Sequence, residues 1–386
     1  VEWRANPVSE PLLFDPATGP PGGWSEQCSA ERAYLTSFAQ LGSRALIANL
    51  RTRVLGLQSG GRIFPVTIND AEYGDSYVCL PHTAYALYAR QELRMVDVGP
   101  QRSVLDMLAR IGGFMLRAAR VNRIVHINNW MLSTNLHSGW SGDDLDAIRR
   151  ALVARFPDHM IALRCLTPWS DARLMDAASA SGWRLAPSRQ VYVTNDVAAE
   201  WAPRRDSRRD IDLLKHTRYE TDSLIELRPG DAGRIAELYA MLYLDRYSNL
   251  NPAFTEAFVE LTHNAGILQY SGLRAGDGRL AGVAGCLIRG GVLTTPIVGY
   301  DTSRPPSEAL YRMTSALFAQ LAMERGLRMH GSAGAAIFKR NRGARPVVEY
   351  TAFFVDHLPL HRRAAIATLQ AALDKLVAPI MREKGL

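Results

Sequence analysis

Cysteine, long apolar runs and lysine are what this sequence has little of, and each shortage excludes something. The 386 residues include four cysteines, Cys28, Cys79, Cys165 and Cys286, scattered widely and forming no C-x-x-C or Cys/His cluster of metal-ligand spacing. A disulfide frame and a structural zinc are therefore not expected, and no metal is assigned. No run of about 18 consecutive apolar residues occurs, so no membrane span is read. From Val1 onward there is no charged-then-apolar leader with a small-residue cleavage site, and the expectation is a soluble, unsecreted, cytoplasmic protein. Helix-turn-helix and zinc-finger patterns are also missing, which leaves DNA out as a partner. A composition of 47% hydrophobic and 22% charged residues excludes fibrous and wholly disordered classes.

The shortage of lysine is the sharpest. Of 45 basic residues only Lys215, Lys339, Lys375 and Lys384 are lysine; the other 41 are arginine. Arginine stays charged as a planar fork, whereas a lysine ammonium is a compact point charge whose pKa moves on burial. Where arginine is the default cation, each lysine raises the question of whether an amine is required there. Lys375 and Lys384 read as a solvated C-terminal helix. The formal charge of +7 suits an anionic partner such as a nucleotide-bearing cofactor, an acidic carrier protein or RNA, and equally suits a basic surface kept for solubility.

At this length two domains or two fused lobes are expected. Residues 1–43, with PATGPPGG inside them, read as an irregular N-terminal arm. Residues 44–199 read as a first α/β lobe. It opens with a hairpin around Gln58-Ser59-Gly60-Gly61, followed by a helix over Gln101–Arg120, and then strands and helices alternate from Asn122 to Val193. Residues 200–220 form a basic linker that turns helical, with Arg204, Arg205, Arg208, Arg209, Lys215 and Arg218 among acids; this is either a solvated face or a phosphate contact. Residues 221–356 form a second lobe in the order βααβββαβαβ, opened by strand Ser223–Arg228, with Asn251 as a helix cap and glycine pairs as hairpin punctuation. Residues 357–386 close the chain as a helix.

That order resembles the GNAT acyltransferase fold, in which a parallel strand pair splays open around an acyl thioester. The segment HGSAGAAIFKRNRGARPVVEYTAFFV, His330–Val355, resembles the strand, FK-x-x-x-G and strand segment of the Fem-like transferases, at Phe338, Lys339 and Gly343, with Gly331 and Ser332 before them. The fold this resemblance implies is α/β: two GNAT-like lobes with mixed, partly splayed sheets flanked by helices, the first completing a substrate pocket and the second catalytic. The stretch Asp301–Leu310 lacks the glycines of the usual pyrophosphate loop.

The resemblance further implies amide formation. An acyl group would pass from acyl-CoA or acyl-carrier protein to a small-molecule amine, with aminoacyl-tRNA as the alternative donor and no tightly bound cofactor. A non-catalytic GNAT pair is the third reading. By the same likeness Lys339 would stabilise the developing negative charge. From their places at strand ends, Tyr300 would protonate the leaving group, Asp301 would hold the amine or take its proton, and His330 would be the imidazole base. Ser332 and Phe338 would contact substrate, and by the GNAT analogy Tyr247 and Asn249 would face the acceptor. Two polar stretches after strands of the first lobe, one with Asn69 and Asp70, the other with Asn128, Asn129, Trp130 and Asn135, read either as turn and cap residues or as a substrate wall.

Overall fold

Glycine pairs and alternating apolar residues set the sheet. The computed structural model describes residues 10–95, 102–137 and 139–384. Strands are β1 (Leu12–Phe14), β2 (Arg53–Ser59), β3 (Arg62–Asn69), β4 (Ile124–Ile127), β5 (Met160–Leu166), β6 (Arg184–Thr194), β7 (Glu220–Asp222), β8 (Gln269–Arg274), β9 (Leu280–Arg289), β10 (Val292–Tyr300), β11 (Arg328–His330) and β12 (Arg345–Phe354). The early helices are α1 (Ser29–Leu41), the single turn α2 (Ser43–Leu46), α3 (Ala89–Met95), entered through a π-helical turn Thr83–Tyr88, α4 (Arg102–Ala118), α5 (Leu145–Arg155), α6 (Ala172–Ala180) and α7 (Arg205–Lys215). Those of the second half are α8 (Asp231–Tyr243), α9 (Glu256–Asn264), α10 (Leu310–Glu324), α11 (Ala336–Asn341), α12 (Leu360–Ala372) and α13 (Ala378–Lys384), the last two joined by a π-helical turn Leu373–Val377.

The two half-sheets fuse into one of twelve strands, in the order β1-β2-β3-β4-β5-β12-β6-β11-β10-β9-β8-β7. Two pairs are parallel, β4 with β5 and β10 with β11, one in each half. All other neighbours are antiparallel. The join is an exchange: β12, from the end of the second half, lies between β5 and β6 of the first, and β6 in turn pairs with β11 of the second. The halves are thus covalently sequential but interleaved in space, and the seam at β12, β6 and β11 runs through the middle of the sheet.

Several sequence expectations change. The arm read as irregular carries β1 and α1, whose Tyr34, Leu35 and Phe38 are buried at helical spacing; residues 1–9 lie outside the described part. Gln101, expected to begin α4, also lies outside it. No strand spans Ser223–Arg228. The Asp222 carboxylate accepts from the Leu224 N–H and from Arg274, and Leu224 turns left-handed (φ +46°), so the chain leaves the sheet after three residues. The cap of α9 is Thr255, whose hydroxyl accepts from Phe258 N–H, while Asn251 donates to the carbonyls of Tyr243 and Ser248. The three hairpins, at Gly60-Gly61, Gly276-Asp277-Gly278 and Gly290-Gly291, form as read, with φ positive at Gly60, Gly61, Gly278, Gly290 and Gly291.

Leu360–Glu383, where no span was expected, is long and apolar enough to cross a bilayer by length and composition. Its Ile366, Leu369 and Leu373 pack on the sheet beside Phe353 and Leu116.

Candidate active site

In the second half β10 and β11 pair only over Val292–Thr294 with Arg328–His330, and then separate, since β10 runs on to Tyr300 bonded to β9 alone. Separation leaves the backbone beyond each strand end bonded only to its outer neighbour, Asp301 to Ala281 of β9 and Gly331 and Ser332 to Tyr192 of β6, and opens the space between them. At the end of β11, Gly331 lies against the next strand: its N–H donates to the Tyr192 carbonyl at 2.7 Å, and a Cβ there would sit 3.2 Å from that oxygen. The chain then turns through Ser332 (φ +57°), Gly334 (+75°) and Ala335 (+49°). Left-handed backbone at a side-chain-bearing residue costs about 1–3 kcal/mol and persists only where its surroundings impose it. The turn aims the carbonyls of Ser332 and Ala333 at α11, where Lys339 Nζ donates to them at 3.2 and 2.7 Å. The ammonium also lies 5.6 Å from the centre of the Tyr192 ring.

Lys339 is half-buried, and among the described residues no carboxylate pairs with it. Burial, with the nearby Arg189 guanidinium adding to it, pulls its pKa down to about 7. Two of its three N–H groups are committed to carbonyls, leaving one for a ligand.

Arg189 faces Glu349 across β6 and β12, a register pair bonded through both guanidinium arms at 2.8 and 3.0 Å, with Glu349 fully buried. Arg189 also donates to the Ser133 carbonyl and the Thr134 hydroxyl of the first half, and Thr134 meets the Ser332 hydroxyl at 3.3 Å. The seam between the halves therefore comes together beside Lys339.

Two devices hold the Phe338-Lys339 helix. Gly343 ends it at φ +84°, where a Cβ would sit 2.2 Å from the Glu200 carbonyl, so the F-K-x-x-x-G spacing is a packing requirement. Asp210 of α7, wholly buried, accepts from Arg342 at 2.6 Å and from Arg312 of α10 at 2.7 Å. Arg342 in turn lies 3.4 Å over the Phe338 ring, whose other neighbour is Tyr311 at 4.8 Å.

Other residues singled out in the sequence fare differently. His330 is buried; its Nδ1 accepts from Ser332 N–H, which puts the proton on an unpartnered Nε2, and burial lowers its pKa to about 4. It takes a proton reluctantly, which makes it a poor base. Asp301 is pushed up by burial, but hydrogen bonds from Ser303 and the Arg234 guanidinium outweigh this and hold it below the usual carboxylate range. Both of its oxygens are engaged, so an amine finds no free acceptor there. Tyr300 ends β10 with its hydroxyl accepting from Arg246, which leaves its own proton available. Tyr247 is exposed beside Tyr243, and Asn249 is exposed with its carbonyl accepting from Asn49.

In the polar stretch Asn128–Asn135 the three asparagines form a closed network, while Ser133 and Thr134 reach the seam through Arg189 and Ser332. Asn128 accepts from Trp130 Nε1, Asn129 bonds Thr67 and the Val78 carbonyl, and Asn135 accepts from Trp130 N–H. Trp130 is fully buried under Arg289, 3.9 Å from its ring. Asn69 bonds Thr52, Glu72 and the Arg51 carbonyl, and Asp70 meets His159. These last two lie at the Ile124 end of β4, opposite to the end that leads into Asn128.

Residues missed by sequence reasoning are Arg189, Glu349, Thr134 and Glu92. A charge inside the strand runs SRQVYV and VVEYTAFF was the available signal for the first two. Glu92 of α3, on the exposed side of the same concavity as Arg189, Glu349 and Ala333, has its carboxyl raised to about 7 by the partial desolvation that the surrounding protein imposes.

The turn before α10, where a pyrophosphate would sit in a GNAT, has Pro305 and Pro306 in place of N–H donors. The Glu308 carboxylate is there too, held by Arg218 and Tyr219.

No family profile and no curated protein matches the chain in sequence. Among solved structures, FemX superposes with a TM-score of 0.53 at 8% identity, over 89% of this chain and 98% of FemX. L-PGS from Bacillus licheniformis gives a TM-score of 0.44 at 11% identity, over 59% of this chain and 79% of that one. A GCN5-related N-acetyltransferase from Kribbella flavida gives 0.33 at 13% identity, over 60% and 81%. The FemX likeness shows the fold of this chain: two GNAT-like lobes of mixed sheet flanked by helices.

Proposed function

We propose that this chain, on its Fem-like double-GNAT fold, is an N-acyltransferase that moves an acyl group from a thioester donor onto a small-molecule amine. The observation that carries the reading is Lys339: an ammonium at the seam of two lobes, bonded only to carbonyls, with one N–H unspent. In the reaction the amine nitrogen bonds to the thioester carbon and the carbonyl oxygen takes up the electron pair. The Lys339 ammonium donates its free N–H to that oxyanion, an interaction worth more here than in water because the surroundings are of low dielectric. Negative charge arriving on the oxygen favours the protonated lysine, so a pKa near 7 in the resting site rises as the intermediate forms. The intermediate collapses with cleavage of the carbon–sulfur bond. The amine proton goes to Glu92, whose raised pKa of about 7 matches a general base, and the thiolate takes the Tyr300 proton.

Among thioesters, an acyl-carrier protein fits better than free acyl-CoA, because the prolines and Glu308 before α10 offer a diphosphate fewer donors and one negative charge. The basic outer side of α7, with Arg204, Arg205, Arg208 and Arg209 exposed, suits an acidic carrier. The same four arginines favour the second reading, an aminoacyl-tRNA donor.

The test offers acyl-CoA, acyl-carrier protein and aminoacyl-tRNA with a panel of amines and reads the release of thiol or tRNA. Thiol release from the carrier donor, lost in a folded Lys339→Ala variant, is expected. tRNA release that falls steeply with salt, and is relieved of that dependence when the α7 arginines are neutralised, selects the second reading. No release from any donor leaves a non-catalytic binding module.

A further inference from the structure

An apolar cavity of about 380 Å³ lies beneath α4, and one end of it reaches Ala333, whose carbonyl holds Lys339. Segments far apart in sequence wall it. Leu105, Met115 and Leu116 come from α4, and Leu369, Leu373 and Val377 from the C-terminal helices. The apolarity of Leu360–Glu383 is thus used against an internal space as well as against the sheet. Charged groups gather at the Ala333 end: Glu92, Arg164, Arg189 and Glu349. At the surface the rim includes Leu108, Ile111 and Leu376, which are 41%, 59% and 47% exposed. One end is therefore greasy and open, the other polar and next to the unspent ammonium. That polarity is the outline of an amphiphile.

The volume falls within the range of about 300–1,000 Å³ typical of small-molecule sites. Protein interiors are otherwise close-packed, so an apolar space of this size is left standing only where something fills it or stability is given up. The sequence keeps it open. Gly112 and Gly113 stand adjacent in the middle of α4, where glycine weakens a helix. Gly113 has a packing reason, since a Cβ there would meet Ala86 at 3.0 Å. Gly112 has none: a Cβ would meet nothing within 4 Å, and the residue lines the cavity.

We propose that this cavity binds the long aliphatic chain of one substrate, with the chain's carbonyl or head end at Arg189, Glu349 and Lys339. The proposal rests on the transferase reading for its choice of head end and on the cavity itself for the chain. The chain enters between α4 and the C-terminal helices and ends at the seam. Its source is either the acyl group of the donor or an amphiphilic amine acceptor, and the two share the same chemistry.

Binding is tested first, without turnover, by titrating the full chain calorimetrically with acetate, octanoate, dodecanoate and hexadecanoate. One saturable site is expected, tightening about fourfold per methylene until the cavity is full. In Lys339→Ala, which removes one contact to the head end, affinity is expected to fall by a similar factor for every chain length while the gain per methylene persists, so a failed transferase reading and a failed chain site give different results. Gly112→Leu and, from the opposite wall, Ala372→Phe are expected to weaken hexadecanoate more than octanoate. Turnover with donors of rising chain length, and separately with amines of rising chain length, shows which substrate brings the chain. Hexadecanoate binding no tighter than acetate overturns the proposal, and so does long-chain binding untouched by both filling substitutions when circular dichroism shows each variant folded.

Discussion

Each half contains a parallel strand pair with a polar turn at one strand end, after the first strand of the pair in the first half and after the second strand in the second half, and the two turns are finished in opposite ways. After β4 the turn closes on itself. Asn128, Asn129 and Asn135 bond the indole, the backbone and one another, and all are buried. After β11 the turn is held from outside, by the Asp210 carboxylate acting through Arg342 on the Phe338 ring and by Gly343 jammed on Glu200. What it presents, Lys339, is left with a donor to spare. A buried polar network that satisfies itself is structure; one that is rigidly supported yet incompletely satisfied is poised to take a ligand. The comparison also separates polar residues that look alike in sequence.

The largest expected effect breaks the external support. Asp210→Ala strands the buried Arg342 and deprives Arg312 of its partner, and removal of one side of a buried charge cluster costs about 3–5 kcal/mol. Thermal unfolding should show the loss. Whatever remains folded should have reduced turnover, because Phe338 loses the guanidinium that pins it.

Next comes the donor itself. Lys339→Ala should cut the rate of the chemical step about 10²–10³-fold, the usual effect of removing one oxyanion donor, without lowering the melting temperature, because it removes a desolvated ammonium. Lys339→Arg should not rescue, since a planar fork cannot reproduce a point charge bonded to two converging carbonyls.

The first-half turn supplies the contrast. Asn129→Ala takes their partner from the Thr67 hydroxyl and the Met131 amide and one of two acceptors from Arg164, which keeps the Val78 carbonyl, for about 1–3 kcal/mol of stability. kcat at a temperature where the variant is folded should stay at the wild-type value. A fall in kcat that exceeds the loss of folded protein would show that the closed network does more than hold shape.

How much of this was legible in the sequence follows from what each feature depends on. Lys339 stood out because lysine is so rare here, and the F-K-x-x-x-G segment marked its neighbourhood; both are local signals. The alternation of elements carried the two-lobed fold. Glycine pairs carried the hairpins, because only φ above zero at both central residues fits such turns. The strand exchange was not legible, because β12 reaches between β5 and β6 from far along the chain, and with it went the Arg189–Glu349 pair, 160 residues apart. Asn128–Asn135 were ambiguous because an amide after a strand reads the same whether its partner is a ligand or a neighbour's backbone. His330 sat at the correct strand end, but its basicity is set by burial, which sequence does not show.

The smallest effect is the most diagnostic, and its sign can be worked out. The folded pKa of Lys339, about 7, lies below its ordinary value of 10.5. Between those values the unfolded chain holds a proton that the folded chain has released, so stability rises with pH through that window, and the cost of holding an ammonium in the site is fully present only below about pH 7. Catalysis runs the other way, because the oxyanion needs the protonated lysine, so kcat/KM should fall about tenfold per unit on the alkaline side of pH 7. Glu92 must be ionised to accept a proton, and its pKa of about 7 gives the falling limb on the acid side. The profile should therefore be a narrow bell around neutrality, because the base and the acid titrate at nearly the same pH. Glu92→Gln should flatten the acid limb and leave the alkaline one. A profile flat from pH 6 to 8 in the wild type would remove both groups from the chemistry and return the second turn to the same structural standing as the first.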